Sequence, residues 1–138
     1  MREGWHDEDY LVLLSDQESS NASRGYGIPG YLPGYQILGI RSWDDFIVRG
    51  ASGGVFTVPT VPMDPQYLAA WTLPRDSALL KPDLRFTGRI KWYTKPLVFG
   101  GDARDPANTL WVSHEQHMQL VTWWNLQYRE MRVRSGDA

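Results

Sequence analysis

Two of the three histidines in this chain lie three residues apart beside a glutamate, in the segment SHEQHMQLVTWWNLQYREM (113–131). Histidine binds zinc, and a metalloprotease helix carries H-E-x-x-H because histidines four residues apart lie on one face. His114 and His117 could also share a face, but a zinc site needs a third ligand. The other histidine, His6, has no evident reason to lie nearby. The spacing therefore does not favour a metal site, and we expect neither a metal nor a cofactor.

The same residues are typical of the start of a core helix. Ser113 followed by Gln116 is a capping box, and Glu115 suits the positive end of the helix dipole. Apolar and aromatic positions then recur every three or four residues, which predicts a long amphipathic helix packed on a sheet through His117, Val121, Trp124, Tyr128 and Met131. This interpretation places His117 at the rim of the core and His114 in an exposed first turn.

Other catalytic arrangements find no support. Asp44 and Asp45 are adjacent, and neighbouring side chains in a strand point to opposite faces, so they would not form a catalytic pair. The turns GDARDP and RGASGGV lack the lysine and helix start of a phosphate loop, and no serine lies in G-x-S-x-G. The chain has no cysteine, which excludes disulfides, thiolate zinc ligands and thiol nucleophiles. We therefore expect no catalytic residues.

Composition indicates one folded domain spanning residues 1–138. A chain of 138 residues with 42% hydrophobic residues can bury a sizeable core and is not disordered. No apolar run reaches the length of a membrane span, and the N-terminus MREGWHDEDY lacks the apolar stretch of a signal peptide. These features predict a cytoplasmic protein. The net charge of −2 predicts neither a nucleic-acid nor a membrane partner.

Negative charge is concentrated near the N-terminus. The first twenty residues carry a single basic residue, Arg2, against six acids: Glu3, Asp7, Glu8, Asp9, Asp16 and Glu18. A solvated surface explains most charge runs, and an acidic patch offered to a basic partner is the alternative.

The first half of the chain alternates between periodic and turn-rich segments. The spacing of apolar residues in EDYLVLLSDQ (8–17) predicts a short helix, and the Gly- and Pro-rich segment 19–35 predicts turns and loop. Three β-like segments follow at 35–40, 44–50 and 54–60. Their short connections predict an antiparallel meander.

The second half repeats this mixture. Asp64 as a cap and Pro65 at the first helical position predict a short helix over 64–72. The segment 76–86 is ambiguous because Pro82 stops any helix, and IKWYTKPLVFGG (90–101) forms one strand or two. Together the elements predict a single α+β domain whose twisted, mainly antiparallel sheet is flanked by helices.

The middle of the chain carries short motifs in a fixed order: Leu32-Pro33, Ile37-Leu38-Gly39, Asp45-Phe46-Ile47-Val48 and Asp64-Pro65. In this order, and preceded by EDYLVLL at 8–14, the segment 30–65 resembles the SUKH superfamily. That family contains the yeast cell-wall-assembly regulator and many bacterial toxin-immunity proteins. The resemblance covers about half of the chain, and it implies an α+β fold and a binding role without catalysis.

The resemblance implies a cytosolic immunity protein that neutralises a cognate toxin, often a nuclease, delivered by a neighbouring cell. A nuclease binds phosphate through basic residues, so an inhibitor gains by offering carboxylates. The candidate partner-binding residues are Asp7, Glu8, Asp9, Asp44, Asp45 and Trp123. Asp44 and Asp45 are the better acidic candidates, because a strand holds a side chain more rigidly than a chain terminus.

An alternative function remains open. A small enzyme or ligand-binding domain could use carboxylates and histidines in one cleft, with Asp44, Asp45, His114 and His117 as the candidates. The two functions differ in what the fold must bring together: an exposed acidic and aromatic surface for the first, and a shared cleft for the second.

Overall fold

A computed structural model describes residues 1–74 and 79–135. Six antiparallel strands form one sheet in sequence order, namely β1 (Arg2–His6), β2 (Asp9–Leu13), β3 (Gln36–Arg41), β4 (Asp45–Arg49), β5 (Val55–Pro59) and β6 (Ala69–Ala70). A separate antiparallel ribbon pairs β7 (Ile90–Tyr93) with β8 (Thr109–Val112). The helices of the described residues are α1 (Asp16–Gly25), α2 (Ile28–Tyr31) and α3 (His114–Arg134). The predicted α+β class, with an antiparallel sheet and a long C-terminal helix, is confirmed.

The helix predicted for residues 8–17 is wrong, because Asp9–Leu13 form the inner strand β2, paired with β1 and β3, and helix begins only at Asp16. Tyr10 and Val12 pack into the larger hydrophobic core on one face of the sheet. Leu11 and Leu13 pack into a smaller cluster on the other face. A strand buried on both faces is continuously apolar, and periodicity alone does not separate such a run from a helix.

The loop predicted for 19–35 is also wrong, because it contains most of α1 and all of α2. Ser15 begins α1 with a capping box, in which its side chain accepts from the backbone N–H of Glu18 and the Glu18 carboxylate accepts from that of Ser15. The buried face of α1 consists of Ser19 and Ala22, and the Ser19 hydroxyl donates to the carbonyl of Ile37 on β3. A helix that packs through small residues shows no stripe of large apolar residues in its sequence. The capping box at Ser15 was therefore the sequence feature that could have predicted α1.

The predicted meander of β3, β4 and β5 is confirmed. The register of β3 shifts between Ile37 and Gly39. A Cβ at position 39 would collide with the carbonyl oxygen of Val12, so glycine is required where β3 passes β2.

Downstream, the predictions are confirmed in part. The Asp64 side chain caps a short 3-10 turn over Pro65–Tyr67, but the helix predicted over 64–72 ends there and β6 follows. The segment 90–101 contains one strand, β7, followed by a 3-10 turn over Leu97–Phe99. In the ambiguous segment 76–86, residues 76–78 lie outside the described residues.

The capping box that begins α3 is confirmed, with Ser113 and Gln116 accepting from each other's backbone N–H groups. The buried stripe differs from the predicted one, because its residues are His117, Val121, Asn125 and Tyr128. Trp124 and Met131 are only half-buried. Burial of the Asn125 amide is compensated by two hydrogen bonds. Its side-chain oxygen accepts from the Met63 N–H at 2.7 Å, and its nitrogen donates to the Thr60 carbonyl at 2.8 Å.

We predict that replacing Asn125 by leucine, Asn125→Leu, destabilises the protein by about 3 kcal/mol. The substitution leaves the backbone groups of Thr60 and Met63 buried without partners, and each such group costs about 1–3 kcal/mol. Chemical denaturation measures the effect. The neighbouring exposed residue provides the control, and Leu126→Ala should change the free energy of unfolding by less than about 1 kcal/mol. Equal losses in both variants would contradict the assigned role of Asn125.

Candidate functional site

The two acidic sets of the sequence meet at one end of the six-stranded sheet. Asp7 and Glu8 form the turn between β1 and β2, and residues 42–44 form the turn between β3 and β4. Because neighbouring strands are antiparallel, both turns lie at the same end. Arg41 joins the sets, with its Nε 3.1 Å from an Asp9 carboxylate oxygen and its Nη1 3.6 Å from one of Asp45.

The N-terminal acids therefore have different surroundings from those expected. Asp7 and Glu8 are exposed residues of a hairpin turn rather than of a loose chain terminus. Glu3, by contrast, is used within the fold, because its carboxylate accepts hydrogen bonds from the Tyr10 hydroxyl and from the Gly88 N–H. Glu18 caps α1 and pairs with the N-terminal amine. The acids that remain available at the sheet end are those of the two turns.

The β3–β4 turn has a backbone conformation that is uncommon for its residues. Ser42 and Trp43 have φ angles of 46° and 64°, in the left-handed region that favours glycine. Such residues cost on the order of 1–3 kcal/mol and persist only where the surroundings hold them. Here the Trp43 ring stacks on Tyr10 with ring centroids 4.9 Å apart, and the Ser42 N–H donates to the Tyr10 carbonyl. These contacts fix the position of the following residue, Asp44.

Trp43 belongs to an aromatic cluster that joins the sheet to the ribbon. Its ring also makes edge-to-face contacts with Trp5, Phe86 and Trp111, at centroid distances of 6.1, 5.2 and 5.1 Å. The Trp43 indole N–H is buried and has no hydrogen-bond partner in the described part of the chain. Packing alone therefore holds this side chain.

A cavity of about 260 Å³ opens beside the turn, and we call it the turn pocket. It lies between the β3–β4 turn, the segment after β5, the strand β7 and the 3-10 turn that follows. Its lining residues are Trp43, Asp44, Asp45, Pro59, Thr60, Val61, Pro62, Lys91, Trp92, Tyr93, Pro96, Leu97 and Val98. The expectation that Asp44 and Asp45 point to opposite faces of a strand is wrong, because Asp44 lies in the turn and both residues line one pocket.

The two aspartates of the turn pocket are incompletely compensated. Desolvation by the surrounding protein raises the pKa of Asp44, and Lys91 opposes that shift. Desolvation also raises the pKa of Asp45, to which Asp9 adds repulsion while Arg41 opposes both. A further positive charge at the pocket would therefore stabilise the charged carboxylates.

An exposed apolar surface adjoins the turn pocket. Leu97 and Val98 line the pocket and are 47% and 37% exposed. The next residue, Phe99, contacts Trp124 at a centroid distance of 4.9 Å, and Trp124 contacts Trp123 at 4.8 Å. Trp123 is 53% exposed, so the apolar surface extends from the pocket to this predicted anchor on α3.

The sequence did not predict the pocket residues from β7 onward, namely Lys91, Trp92, Tyr93, Pro96, Leu97 and Val98. The available signal was PLVFGG (96–101), in which a proline and two glycines enclose three apolar residues. A short apolar segment between proline and glycine indicates a compact turn, and a turn that exposes apolar side chains is a candidate contact surface. Their proximity to Asp44 depends on the tertiary fold.

His117 lies in the core, not at its rim as expected. Its side chain is fully buried, with Nδ1 2.6 Å from the Tyr26 hydroxyl and with Trp92 and Phe46 in edge-to-face contact. Burial lowers the pKa of His117 to about 3, so its ring is neutral at pH 7. Its Nε2 has no hydrogen-bond partner among residues 1–74 and 79–135.

His114 is half-buried rather than exposed. It lines a separate cavity of about 360 Å³ together with Leu14, Tyr26 and Met118, and the acidic residues Glu18 and Glu115 also line this cavity. Neither His114 nor His117 lines the turn pocket, so the structure does not bring them together there with Asp44 and Asp45. The described residues contain no group of three or more histidines and acids that could hold a metal ion.

Comparison with protein-family models, with curated proteins and with solved structures found no match for the chain. Within the described ranges, no helix is long and apolar enough to span a bilayer. Function is therefore inferred from the geometry of the site and from the resemblance of residues 30–65.

We predict that His117 makes stability depend on pH. Its pKa is about 3 in the folded protein against an ordinary value of 6.5, so below pH 6.5 the unfolded chain binds a proton that the folded chain does not. The free energy of unfolding should therefore fall as the pH decreases from 6.5 towards 3, by up to about 1.4 kcal/mol per pH unit. Denaturation of wild type and His117→Gln at pH 7 and pH 5 measures this term.

Between these pH values, the stability advantage of wild type over His117→Gln should shrink by about 2 kcal/mol. Leu126 has no titratable side chain and is exposed on the same helix, so Leu126→Ala should keep the pH dependence of the wild type. An unchanged pH dependence in His117→Gln would show that the buried imidazole is not the source.

Proposed function

We propose that this protein is a non-catalytic, cytosolic immunity protein that neutralises a cognate bacterial toxin by direct binding. The main supporting observation is the meeting of both acidic turns with an exposed apolar pocket at one end of the sheet. The resemblance of residues 30–65 to toxin-immunity proteins supports the same function. The partner surface that we propose contains Asp7, Glu8, Asp9, Asp44, Asp45, Leu97, Val98 and Trp123.

The charge of this surface favours a basic partner. Five carboxylates in the two turns and at the strand starts are accompanied at the surface by Arg41 and Lys91. A nuclease toxin binds phosphate through a groove of lysines and arginines, and carboxylates placed against that groove would compete with the nucleic acid. Complementary charge also accelerates association and disfavours wrong partners.

The apolar part of the surface supplies the anchors that a tight complex needs. Binding energy in protein interfaces concentrates in a few large side chains near the centre, surrounded by polar residues. Leu97 and Val98 are exposed and line the turn pocket beside the acidic turns, and the exposed Trp123 is linked to them through the ring contacts of Trp124 and Phe99. The surface therefore has an apolar centre with charge beside it.

Rigidity of the acidic turn also supports a binding role. The stacking of Trp43 on Tyr10 and the backbone hydrogen bond of Ser42 hold the turn before any partner arrives. A preorganised side chain loses less conformational entropy on binding, so more of its interaction energy contributes to affinity.

We expect the double charge reversal Asp44→Lys/Asp45→Lys to slow association with the cognate toxin by about tenfold or more at low salt, and to reduce its salt dependence. The partner in the test is the product of an adjacent gene that encodes a large, modular secreted toxin. Association rates measured across a series of salt concentrations give both quantities. Circular dichroism confirms that the variant is folded.

A matched control reverses two exposed acids at the opposite end of the sheet. Asp16 begins α1 and Glu115 lies in the first turn of α3, and both are exposed. Asp16→Lys/Glu115→Lys makes the same change in net charge and should leave association within about twofold of wild type. If both double variants behave alike, recognition through Asp44 and Asp45 is wrong, and absence of any association would overturn the assigned partner.

A further inference from the structure

We infer that the turn pocket receives a single arginine side chain of the partner, an inference that rests on the proposed function. Small-molecule sites usually enclose about 300–1,000 Å³. The turn pocket, at about 260 Å³, is smaller than this range and matches one large side chain better than a cofactor or metabolite. The pocket therefore suits an anchor residue at the centre of a protein interface.

The walls of the pocket suit the stem and the head group of arginine. Pro59, Pro62 and Pro96 line it together with Leu97 and Val98, so the methylene groups of an inserted side chain would be covered by apolar atoms. Among the aromatic residues of the lining, Trp43 can pack against a planar guanidinium, whereas the Tyr93 ring already has the Lys91 ammonium 5.1 Å from its centroid.

Charge in the pocket selects a cationic occupant. Asp44 and Asp45 both line it, and Lys91 is the basic residue among the lining residues. The guanidinium of Arg41 pairs with both Asp9 and Asp45, so it offsets the negative charge of Asp45 only in part. An uncharged anchor would displace the water around these carboxylates without providing a compensating charge or hydrogen bond, and this desolvation costs free energy.

Arginine is favoured over lysine for two physical reasons. Its planar guanidinium can donate to two carboxylates at once, whereas an ammonium group acts as a point charge. Arginine is also less strongly hydrated than lysine, so entering an apolar pocket costs it less. Both properties match a pocket in which two carboxylates adjoin mainly apolar walls.

The test uses N-acetyl-arginine N-methylamide and its citrulline analogue, which has nearly the same shape without the charge. Each is titrated to tens of millimolar into the ¹⁵N-labelled full chain and followed by amide and indole resonances. We expect saturable shifts centred on Trp43, Asp44, Tyr93 and Leu97 with the arginine derivative. The citrulline derivative should bind about tenfold more weakly or worse, because its neutral urea group still donates hydrogen bonds but lacks the positive charge that attracts the two carboxylates.

Paired variants locate the binding. The double variant Asp44→Asn/Asp45→Asn keeps the shape of the pocket and should weaken binding of the arginine derivative by about tenfold. Asp16→Asn/Glu115→Gln, at the other end of the sheet, should leave it unchanged. Unaltered resonances elsewhere in each variant show that the protein is folded.

Several results would overturn the inference: equal binding of the arginine and citrulline derivatives, shifts centred outside the pocket, no saturable shifts, or tighter binding of the corresponding lysine derivative. Toxin association distinguishes this failure from failure of the proposed function. If charge reversal at Asp44 and Asp45 slows toxin binding but the arginine derivative does not bind, the anchor is wrong and the proposed function stands. If the derivative binds but no toxin associates, the proposed function fails.

Discussion

The stacking of Trp43 on Tyr10 is the contact on which the candidate site depends. Tyr10 lies on the inner strand β2, so a ring stacked upon it is tied to the centre of the sheet. The same indole reaches Trp111 on the ribbon, and the backbone that carries it is held in a left-handed conformation. Aromatic pairs contribute about 0.5–1.5 kcal/mol each beyond the area they bury, so several together can offset the backbone cost. Asp44 is the next residue in the chain, so its backbone is held in place by the same contacts.

Charge at the sheet end shows the complementary constraint. Arg41 lies between Asp9 and Asp45 and satisfies each only in part, because one guanidinium is divided between two strands. A fold under selection for stability alone would gain by exchanging one of these acids for a neutral residue, since like charges crowded together repel. The presence of several acids beside apolar side chains agrees with the proposal that a partner supplies the remaining positive charge.

The sequence predicted those elements whose determinants are local. The meander of β3 to β5 follows from alternation and short turns, and the α3 capping box from residues three apart. The strand β2 was misassigned because its apolar residues face two cores. The burial of Asn125 depends on backbone groups more than sixty positions away, and the turn pocket on a ribbon about fifty residues from Asp44. Patterns of residue spacing within one segment do not report contacts between such distant positions. The sequence therefore predicted the acidic residues of the site but not the pocket that they share.

The sequential strand order of the sheet has a consequence for how the chain folds. From β1 to β6 each strand pairs with its neighbour in the sequence, whereas the aromatic contacts to Trp111 and the hydrogen bonds of Asn125 join distant segments. Local pairings form fast and distant ones slowly, because closing a long loop costs entropy. We expect the meander to form early and the ribbon and α3 to dock onto it late. A chain still being synthesised would then display the acidic turns before it has a pocket beside them, and the turn pocket would be complete only after the final docking step.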